Sequence, residues 1–286
     1  MSVLKVFTAD AAKLILAPEL GGGIARLDVD NKPVLRPWSG DKHNLFSLAH
    51  NVLVPFSNRI SCGGFNWNGV NYSLEPNLDD EIFPIHGDGF QKVWEITDSD
   101  NGICMRLSNG SFGPWRYSAE QFFNLTPKSL TITLIIKNKS ELILPFGCGF
   151  HPWFPRNDHT RLSFTAEKVW MENEDHLPTK EVLLVDDSIW SFKDLRKLPV
   201  NFINNGYTGW HGTTFIEQGE DSISCKITAS NNLQTAIIYS PNDKSDFFCF
   251  EPVSHPVDAF NLPGRPGLEE LVSGHSMIAS MSIMWK

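Results

Sequence analysis

The sequence lacks several features that would place it in a common functional class. No run of about 18 apolar residues occurs, so we expect no membrane-spanning helix. The first residues, MSVLKVFTADAAKLILAPEL, have no basic start followed by an apolar block, which argues against a signal peptide. Basic residues are also few. The 24 Lys and Arg stand against 33 Asp and Glu, a formal charge of -9 that argues against a nucleic-acid partner.

Cysteine is scarce and scattered. The five residues Cys62, Cys104, Cys148, Cys225 and Cys249 form no C-x-x-C pair, and their number is odd. Structural zinc sites usually show paired ligand spacing, so the sequence predicts no metal site of that kind. Buried free thiols in a reducing cytoplasm fit the pattern better, and we expect a cytoplasmic protein. No GxGxxG or Walker-type loop follows a strand-like segment, which argues against a nucleotide fold.

What the sequence has in abundance is aromatic residues and alternating apolar residues. Its 20 Phe and 9 Trp fit a β-rich core, a surface that stacks on sugars, or both. Residues 129–137 read SLTITLIIK, with apolar side chains at every second position, and residues 277–284 alternate in the same way. Alternation with this period is typical of strands that bury one face.

Turn residues separate several of these strand-like segments. In FNWNGVNYSL, Asn68-Gly69 suits the two positive-φ positions of a type I′ turn and predicts a hairpin that pairs Trp67 with Val70. The run DNG at residues 100–102 predicts a second turn of the same kind. Both turns indicate antiparallel strands.

Helical patterns are few and short. Residues 44–53, NLFSLAHNVL, and residues 187–198, DSIWSFKDLRKL, could each make two or three turns, which is too short for a repeated βαβ scheme. Many short strands with Pro and Gly between them predict an all-β fold, an antiparallel sandwich or barrel. The sequence shows no linker and no internal repeat, so we expect residues 1–286 to form one domain. A single hydrophobic core can serve a domain of up to roughly 250–300 residues, and this chain is within that range.

Four segments place polar residues where a sandwich would not need them. They are NVLVPFSNRI with Asn58 and Arg59, PIHGDGFQKVWE with His86, PFGCGFHPWFP with His151, and DFFCFEPVSHPVDAFN with Glu251. Taken singly, Arg59 fits a surface ion pair, and either histidine fits a hydrogen-bonded structural role. Glu251 follows four apolar residues, so we expect burial to raise its pKa. A histidine and such a carboxylate could also form a general acid–base pair near neutral pH.

Taken in order, these segments resemble the aldose 1-epimerase (galactose mutarotase-like) family. The matching motifs cover nearly the whole chain: an N-R pair, HG-x-GF-x-K-x-W, GFHPWF, TGW and EP…DAFN. The resemblance implies a large β-sandwich of the supersandwich type, without metal or organic cofactor, that acts on a free reducing sugar. By position it implies Glu251 as the general base and His151 as the general acid. It also implies that Asn58, Arg59 and His86 hold sugar hydroxyls or the ring oxygen.

One position departs from the family pattern. Family members usually carry an Asp a few residues before TGW, whereas this chain reads FINNGYTGW. The equivalent residue is Asn204, or Asn205 if the alignment shifts by one. An Asn both donates and accepts hydrogen bonds, whereas an ionised Asp only accepts. We therefore expect Asn204 to bind a sugar hydroxyl in an altered way.

The chemistry implied by the resemblance is ring opening and closure. A carboxylate takes the proton of the C1 hydroxyl while an imidazolium protonates the ring oxygen, and rotation about C1–C2 followed by closure gives the other anomer. Such a mechanism places His151 and Glu251 on different sides of the C1–O5 unit. Arg59 and His86 would polarise oxygens where charge develops.

Three other functions fit parts of the sequence. A mutarotase for a phosphorylated or sulfonated sugar would need extra Arg or Lys, and the chain has no obvious cluster of them. A glycoside hydrolase would need a second carboxylate, and Asp258 could pair with Glu251, although its VDAF context better fits a structural turn. A non-catalytic sugar-binding module would need neither His151 nor Glu251.

Overall fold

The structure is a computed structural model that describes residues 4–99, 102–186 and 188–286. Within these ranges the regular structure is almost entirely β-strand. Two 3₁₀ turns, Leu45–Ser47 and Gly89–Gln91, are the helices of the described residues, and neither is long or apolar enough to cross a bilayer. The strands are β1 (Lys5–Ala9), β2 (Ala12–Ala17), β3 (Gly23–Val29), β4 (Lys32–Pro33), β5 (His50–Leu53), β6 (Gly64–Trp67), β7 (Val70–Ser73), β8 (Glu95–Ser99), β9 (Gly102–Phe112), β10 (Trp115–Thr126), β11 (Ser129–Asn138), β12 (Leu144–Phe146), β13 (Gly149–Pro155), β14 (Arg161–Phe164), β15 (Lys168–Glu172), β16 (Pro178–Leu183), β17 (Arg196–Lys197), β18 (Ile203–Thr208), β19 (Thr213–Glu217), β20 (Cys225–Ala229), β21 (Thr235–Ser240), β22 (Phe247–Val253), β23 (Glu269–Leu271) and β24 (Ser276–Trp285).

The strands form two large sheets and two small ones. The first sheet has the order β1-β2-β3-β5-β13-β22-β21-β18-β15-β16, with β4 beside β3. The second has the order β17-β14-β19-β20-β24-β11-β10-β9-β8, and the pairs β12-β23 and β6-β7 are separate. Every pairing between these strands is antiparallel. The fold is an all-β antiparallel sandwich, as predicted.

The inner faces of the two large sheets share one apolar core. Phe150 on β13 and Phe250 on β22 are fully buried from the first sheet, and Leu134 on β11 is fully buried from the second. Burying an apolar side chain of this size contributes roughly 1.5–3 kcal/mol. The alternation predicted for residues 129–137 and 277–284 is confirmed, because β11 and β24 bury every second residue in this core. The core packs against one face of β13 and β22, so the alternate side chains of these strands project from the opposite face of the sheet.

The predicted hairpin at Asn68-Gly69 is confirmed. Trp67 pairs with Val70 across the turn, whose two residues have φ of 51° and 81°. The other predicted turn includes residues 100–101, which lie outside the described ranges, while β8 and β9 on either side of it are paired. A short local signal therefore predicted the hairpin at Asn68-Gly69.

The two predicted helices are wrong. Residues 44–53 form a 3₁₀ turn followed by β5, all of whose residues are buried. A strand buried on both faces shows no alternation, and its apolar spacing can be mistaken for that of a helix. Residues 188–198 form turns and the short β17, while residue 187 lies outside the described ranges. There Phe192 stacks on Phe164 of the core, so tertiary packing overrides the local pattern.

Candidate active site

The two neighbouring strands β13 and β22 bring His151 and Glu251 together. Their register pairs Trp153 with Cys249, so His151 lies across from Glu251 two residues further along. Cross-strand neighbours project from the same face of a sheet. Nε2 of His151 is 3.4 Å from Oε1 of Glu251, and the two side chains are only 8% and 3% exposed. Two ionisable groups far apart in the sequence thus form one buried contact.

A cavity of about 550 Å³ lies over this contact. Its volume is typical of small-molecule sites, which span roughly 300–1,000 Å³. The lining includes all six residues singled out from the sequence: Asn58, Arg59, His86, His151, Asn204 and Glu251. The fold therefore gathers five separate stretches of the chain around one cavity.

The environment of Glu251 disfavours its ionised form. Burial raises the pKa of its carboxyl to about 8, and the positive charge of Arg59 only partly opposes this effect. Oε2 has no hydrogen-bond partner among the described residues. The expectation that burial raises this pKa is confirmed. Burial thus favours the protonated carboxyl.

Burial acts on His151 in the opposite direction. Burial lowers the pKa of the imidazole to about 3, and the positive charge of Arg36 lowers it further. The ring stacks on Trp153, with centroids 4.9 Å apart and planes inclined by 17°. Burial therefore favours a neutral imidazole and a protonated carboxyl over the imidazolium and carboxylate assumed from the sequence.

The two side chains are neighbours on one face of the sheet. A sugar that uses both must place the C1 hydroxyl and the ring oxygen over the same face. This is feasible because both oxygens are bonded to C1 and are therefore close together.

His86 is held as a neutral ring. Its Nδ1 accepts a hydrogen bond from the backbone N–H of Asn58 at 2.9 Å, and the backbone N–H of His86 donates to the carbonyl of Asn58 at 3.0 Å. Because Nδ1 accepts, Nε2 carries the ring hydrogen. Burial lowers the pKa of His86 well below its ordinary value, and the neighbouring His151 and Arg59 lower it further. His86 is thus a neutral donor at the cavity wall.

Arg59 is already engaged by a carboxylate. Its Nε donates to Oε2 of Glu81 at 2.9 Å and its Nη2 donates to Oε1 at 2.6 Å. A bidentate pair of this kind is directional and fixes the guanidinium plane. Glu81 lines the cavity as well, together with Asp80, Glu174 and Asp175, so this wall is acidic. Arg59 therefore forms an ion pair, one role considered from the sequence, and also lines the cavity, the other role considered.

Asn204 lies at the cavity, and Asn205 does not. Asn204 on β18 pairs with Tyr239 on β21, and both line the cavity. Its Nδ2 donates to Oε2 of Glu172 at 2.9 Å, which orients the amide. Asn205 projects from the other face of the strand, where its Nδ2 donates to the carbonyl of Trp170 at 2.7 Å. A carboxylate is therefore present beside the position where the family usually has Asp, but it comes from β15.

Some residues around the cavity were not predicted. Trp153 and Cys249 lie two positions from His151 and Glu251 on the same strands, so the period of two would have placed them on the same face. Glu172 carries no comparable signal, because nothing in its local sequence indicates that β15 approaches β18.

Asp258 is occupied elsewhere. Its carboxylate accepts hydrogen bonds from the N–H and Oγ of Ser61 at 2.8 and 2.7 Å, and from Nδ2 of Asn261 at 2.9 Å. Its φ of 57° lies in the left-handed region common in turns. These contacts match the structural turn expected from its sequence context.

The cysteines are free thiols. Cys104, Cys148, Cys225 and Cys249 are buried, as expected, but Cys62 is exposed. The exposure of Cys62 follows from its place in the turn that precedes β6. Of the buried thiols, Cys249 is the one next to the His151–Glu251 contact.

Several known proteins are similar to this chain in sequence, in fold or in both. The profile of the aldose 1-epimerase family matches residues 6–283. The uncharacterized protein YphB of Escherichia coli K12 is 33% identical over 289 aligned residues, which cover 98% of each chain. The crystal structure of a candidate aldose 1-epimerase from Escherichia coli K12 superimposes with a TM-score of 0.93 and 30% identity over 99% of each chain. Galactose 1-epimerase from Lactobacillus acidophilus has the same fold, with a TM-score of 0.77 and 13% identity over 98% of this chain and 93% of that one.

Proposed function

Because this chain belongs to the aldose 1-epimerase family, we propose that it interconverts the α and β anomers of a free aldohexose by acid–base ring opening and closure. The observation that carries the proposal is the buried contact between His151 and Glu251 on the floor of a sugar-sized cavity. Family and fold support a mutarotase-type reaction, and the contact supplies a proton donor and a proton acceptor for it. We expect no metal or organic cofactor to take part.

In the proposed opening step, the Glu251 carboxylate takes the proton of the C1 hydroxyl while the His151 imidazolium protonates the ring oxygen. The C1–O5 bond breaks, and the sugar becomes an open-chain aldehyde with a hydroxyl at C5. Rotation about C1–C2 presents the other face of the carbonyl. Closure returns each proton along the same path, so no covalent intermediate with the protein is needed.

The proton content of the resting pair fits this cycle. Opening leaves Glu251 protonated and His151 neutral, which is the form favoured by burial of both groups. The form that acts on the closed ring holds the same single proton, on His151 instead. Moving that proton within the pair changes no net charge, and hydrogen bonds from sugar hydroxyls would stabilise the ion-paired form.

Four residues are proposed to hold the sugar over the pair. His86 offers its Nε2–H as a neutral donor, and Arg59 donates from a guanidinium held by Glu81. Asn58 lines the same wall, where its backbone fixes His86. Asn204 has one N–H committed to Glu172, which leaves Oδ1 and the second N–H for a hydroxyl.

The acidic wall disfavours the alternative with a phosphorylated or sulfonated sugar. Within the described cavity lining, Arg59 supplies the one guanidinium group, and that group is already paired with Glu81. Asp80, Glu174 and Asp175 would repel an added anion at the same mouth. The glycoside-hydrolase alternative is also disfavoured, because Asp258 is hydrogen-bonded to Ser61 and Asn261.

Polarimetry tests the proposal. Freshly dissolved α-glucose and α-galactose should reach anomeric equilibrium faster with the protein than with buffer, and equally fast after dialysis against EDTA. A phosphorylated hexose should be accelerated less than its neutral parent. Binding of sugars without acceleration on a broad panel would instead identify a non-catalytic sugar-binding module. Full loss of activity with EDTA would contradict the cofactor-independent mechanism.

A further inference from the structure

A third ionisable group, which the proposed reaction does not use, is buried beside the His151–Glu251 contact. Cys249 lies two residues before Glu251 on β22, so its side chain projects from the same face. Its Sγ, Nε2 or Nδ1 of His151 and a carboxylate oxygen of Glu251 all lie within 4.8 Å of one another. All three residues are buried.

The three atoms are spaced as ligands of one small cation. In a tetrahedral site with zinc–ligand bonds of about 2.0–2.1 Å, neighbouring ligand atoms are about 3.3 Å apart. The 3.4 Å between His151 and Glu251 already matches this edge. An ion at the centre of three atoms 4.8 Å apart would lie about 2.8 Å from each, so an inward shift of well under 1 Å brings the thiolate into bonding range.

The ligand types also select a class of metal. A neutral imidazole, a thiolate and a carboxylate are the donors that zinc uses, whereas magnesium and calcium prefer oxygen alone. Oε2 of Glu251, buried without a hydrogen-bond partner among the described residues, remains free for a second interaction. Three protein ligands leave a fourth position, which would face the cavity that His151 and Glu251 line.

We infer that His151, Cys249 and Glu251 form an inhibitory site for a thiophilic divalent cation of the zinc class. A bound ion occupies the lone pair of His151 and the carboxylate of Glu251, and neither group can then transfer a proton. Binding of the ion rests on the positions of the three ligands alone, whereas its inhibitory effect rests on the proposed sugar reaction.

Cobalt(II) is the probe that tests the site, because its thiolate complexes show a charge-transfer band in the near ultraviolet. Protein freed of metal by a chelator is titrated with cobalt chloride in the absence of sugar. We expect one equivalent to bind with this band, and zinc to remove the band by displacement. Cys249→Ser should lose the band and bind at least roughly tenfold more weakly.

Two further variants make the result specific. Cys225→Ser removes another buried thiol, on β20 of the second sheet, and should keep both the band and the affinity. Glu251→Gln should keep the band but weaken binding. If Cys249→Ser misfolds by circular dichroism, Cys249→Ala replaces it. A wild-type protein without the band, or a band that survives loss of Cys249, overturns the inference. Because no sugar is present, neither result bears on the polarimetric test.

Discussion

The outer faces of the two large sheets differ, although their inner faces share one core. On β11 and β24 the outward side chains, such as Thr133 and Ser280, are partly open to solvent. On β13 and β22 the outward side chains include those of His151 and Glu251, which are 8% and 3% exposed. A loop side chain, Phe46, packs over the His151 ring with centroids 5.7 Å apart.

This difference shows what turns a sheet face into a candidate reaction site. The strands of both sheets follow the same period of two, so the alternation alone does not separate them. Covering loops remove solvent from one outer face, and polar groups under them then acquire shifted pKa values. Among the residues that the structure describes, none covers the outward Ser and Thr of β11 and β24 in this way, and they remain an ordinary solvated surface.

The largest expected effect comes from removing either member of the buried pair. Glu251→Gln and His151→Asn should each lower kcat about 10²–10⁴-fold with a smaller change in KM, because each removes one proton-transfer group. The double variant should lose far less than the product of the two single losses. Thr133→Val, on the outer face of the second sheet, is the matched control and should leave kcat unchanged. A single variant with near-normal kcat would move the catalytic role towards His86.

The pH dependence should separate a covered pair from a solvated one. Activity requires one proton on the pair, which holds two below a pH of about 3 and none above about 8. The protein-dependent kcat/KM should therefore be bell-shaped, falling on the acid side as His151 gains a proton and on the alkaline side as Glu251 loses one. This order is the reverse of that expected from the sequence. Limbs near the ordinary pKa values, about 4.3 for Glu and 6.5 for His, would contradict the effect of burial.

Stability should show what the buried carboxyl costs. The pKa of Glu251 rises from 4.5 to about 8 on folding, so the folded state loses stability as the pH rises through this interval. Glu251→Gln removes that loss and should raise the free energy of unfolding at pH 9 relative to wild type, by at most about 5 kcal/mol. Glu120→Gln, which breaks an exposed pair with Arg106, should change it by no more than about 1 kcal/mol. Urea denaturation at pH 9 and pH 4.5 measures both, and equal effects of the two variants would refute the comparison.

The smallest expected effect concerns sugar preference. Asn204→Asp would place a second carboxylate against Glu172. In the double variant Asn204→Asp/Glu172→Gln, the amide at position 172 donates to the carboxylate at position 204, which restores the hydrogen bond in the opposite direction. A hydrogen bond to a charged group contributes roughly 1.5–3 kcal/mol, so we expect relative kcat/KM among epimeric hexoses to shift about tenfold or more. Asn205→Asp, on the opposite strand face, is the control and should affect stability alone. An unchanged preference in the Asn204 variants would remove this residue from sugar binding.

Local signals in the sequence predicted much of the fold. Alternation over residues 129–137 and 277–284 located two central strands, because a strand with one solvated face must place apolar residues at every second position. Asn68-Gly69 located a hairpin, because few residues adopt positive φ at both positions of the turn. The strand at residues 50–53 was mistaken for helix, because burial on both faces removes its alternation.

The sequence by itself determined the all-β class, six of the residues gathered around the cavity and the upward direction of the Glu251 pKa. The last followed because the apolar residues before Glu251 are its immediate neighbours. Only the tertiary structure decided that His151 contacts Glu251 and that the imidazole loses its proton on burial. It also decided that Glu172 approaches Asn204. These contacts depend on the register between strands far apart in the chain and on covering loops, neither of which leaves a trace in local sequence.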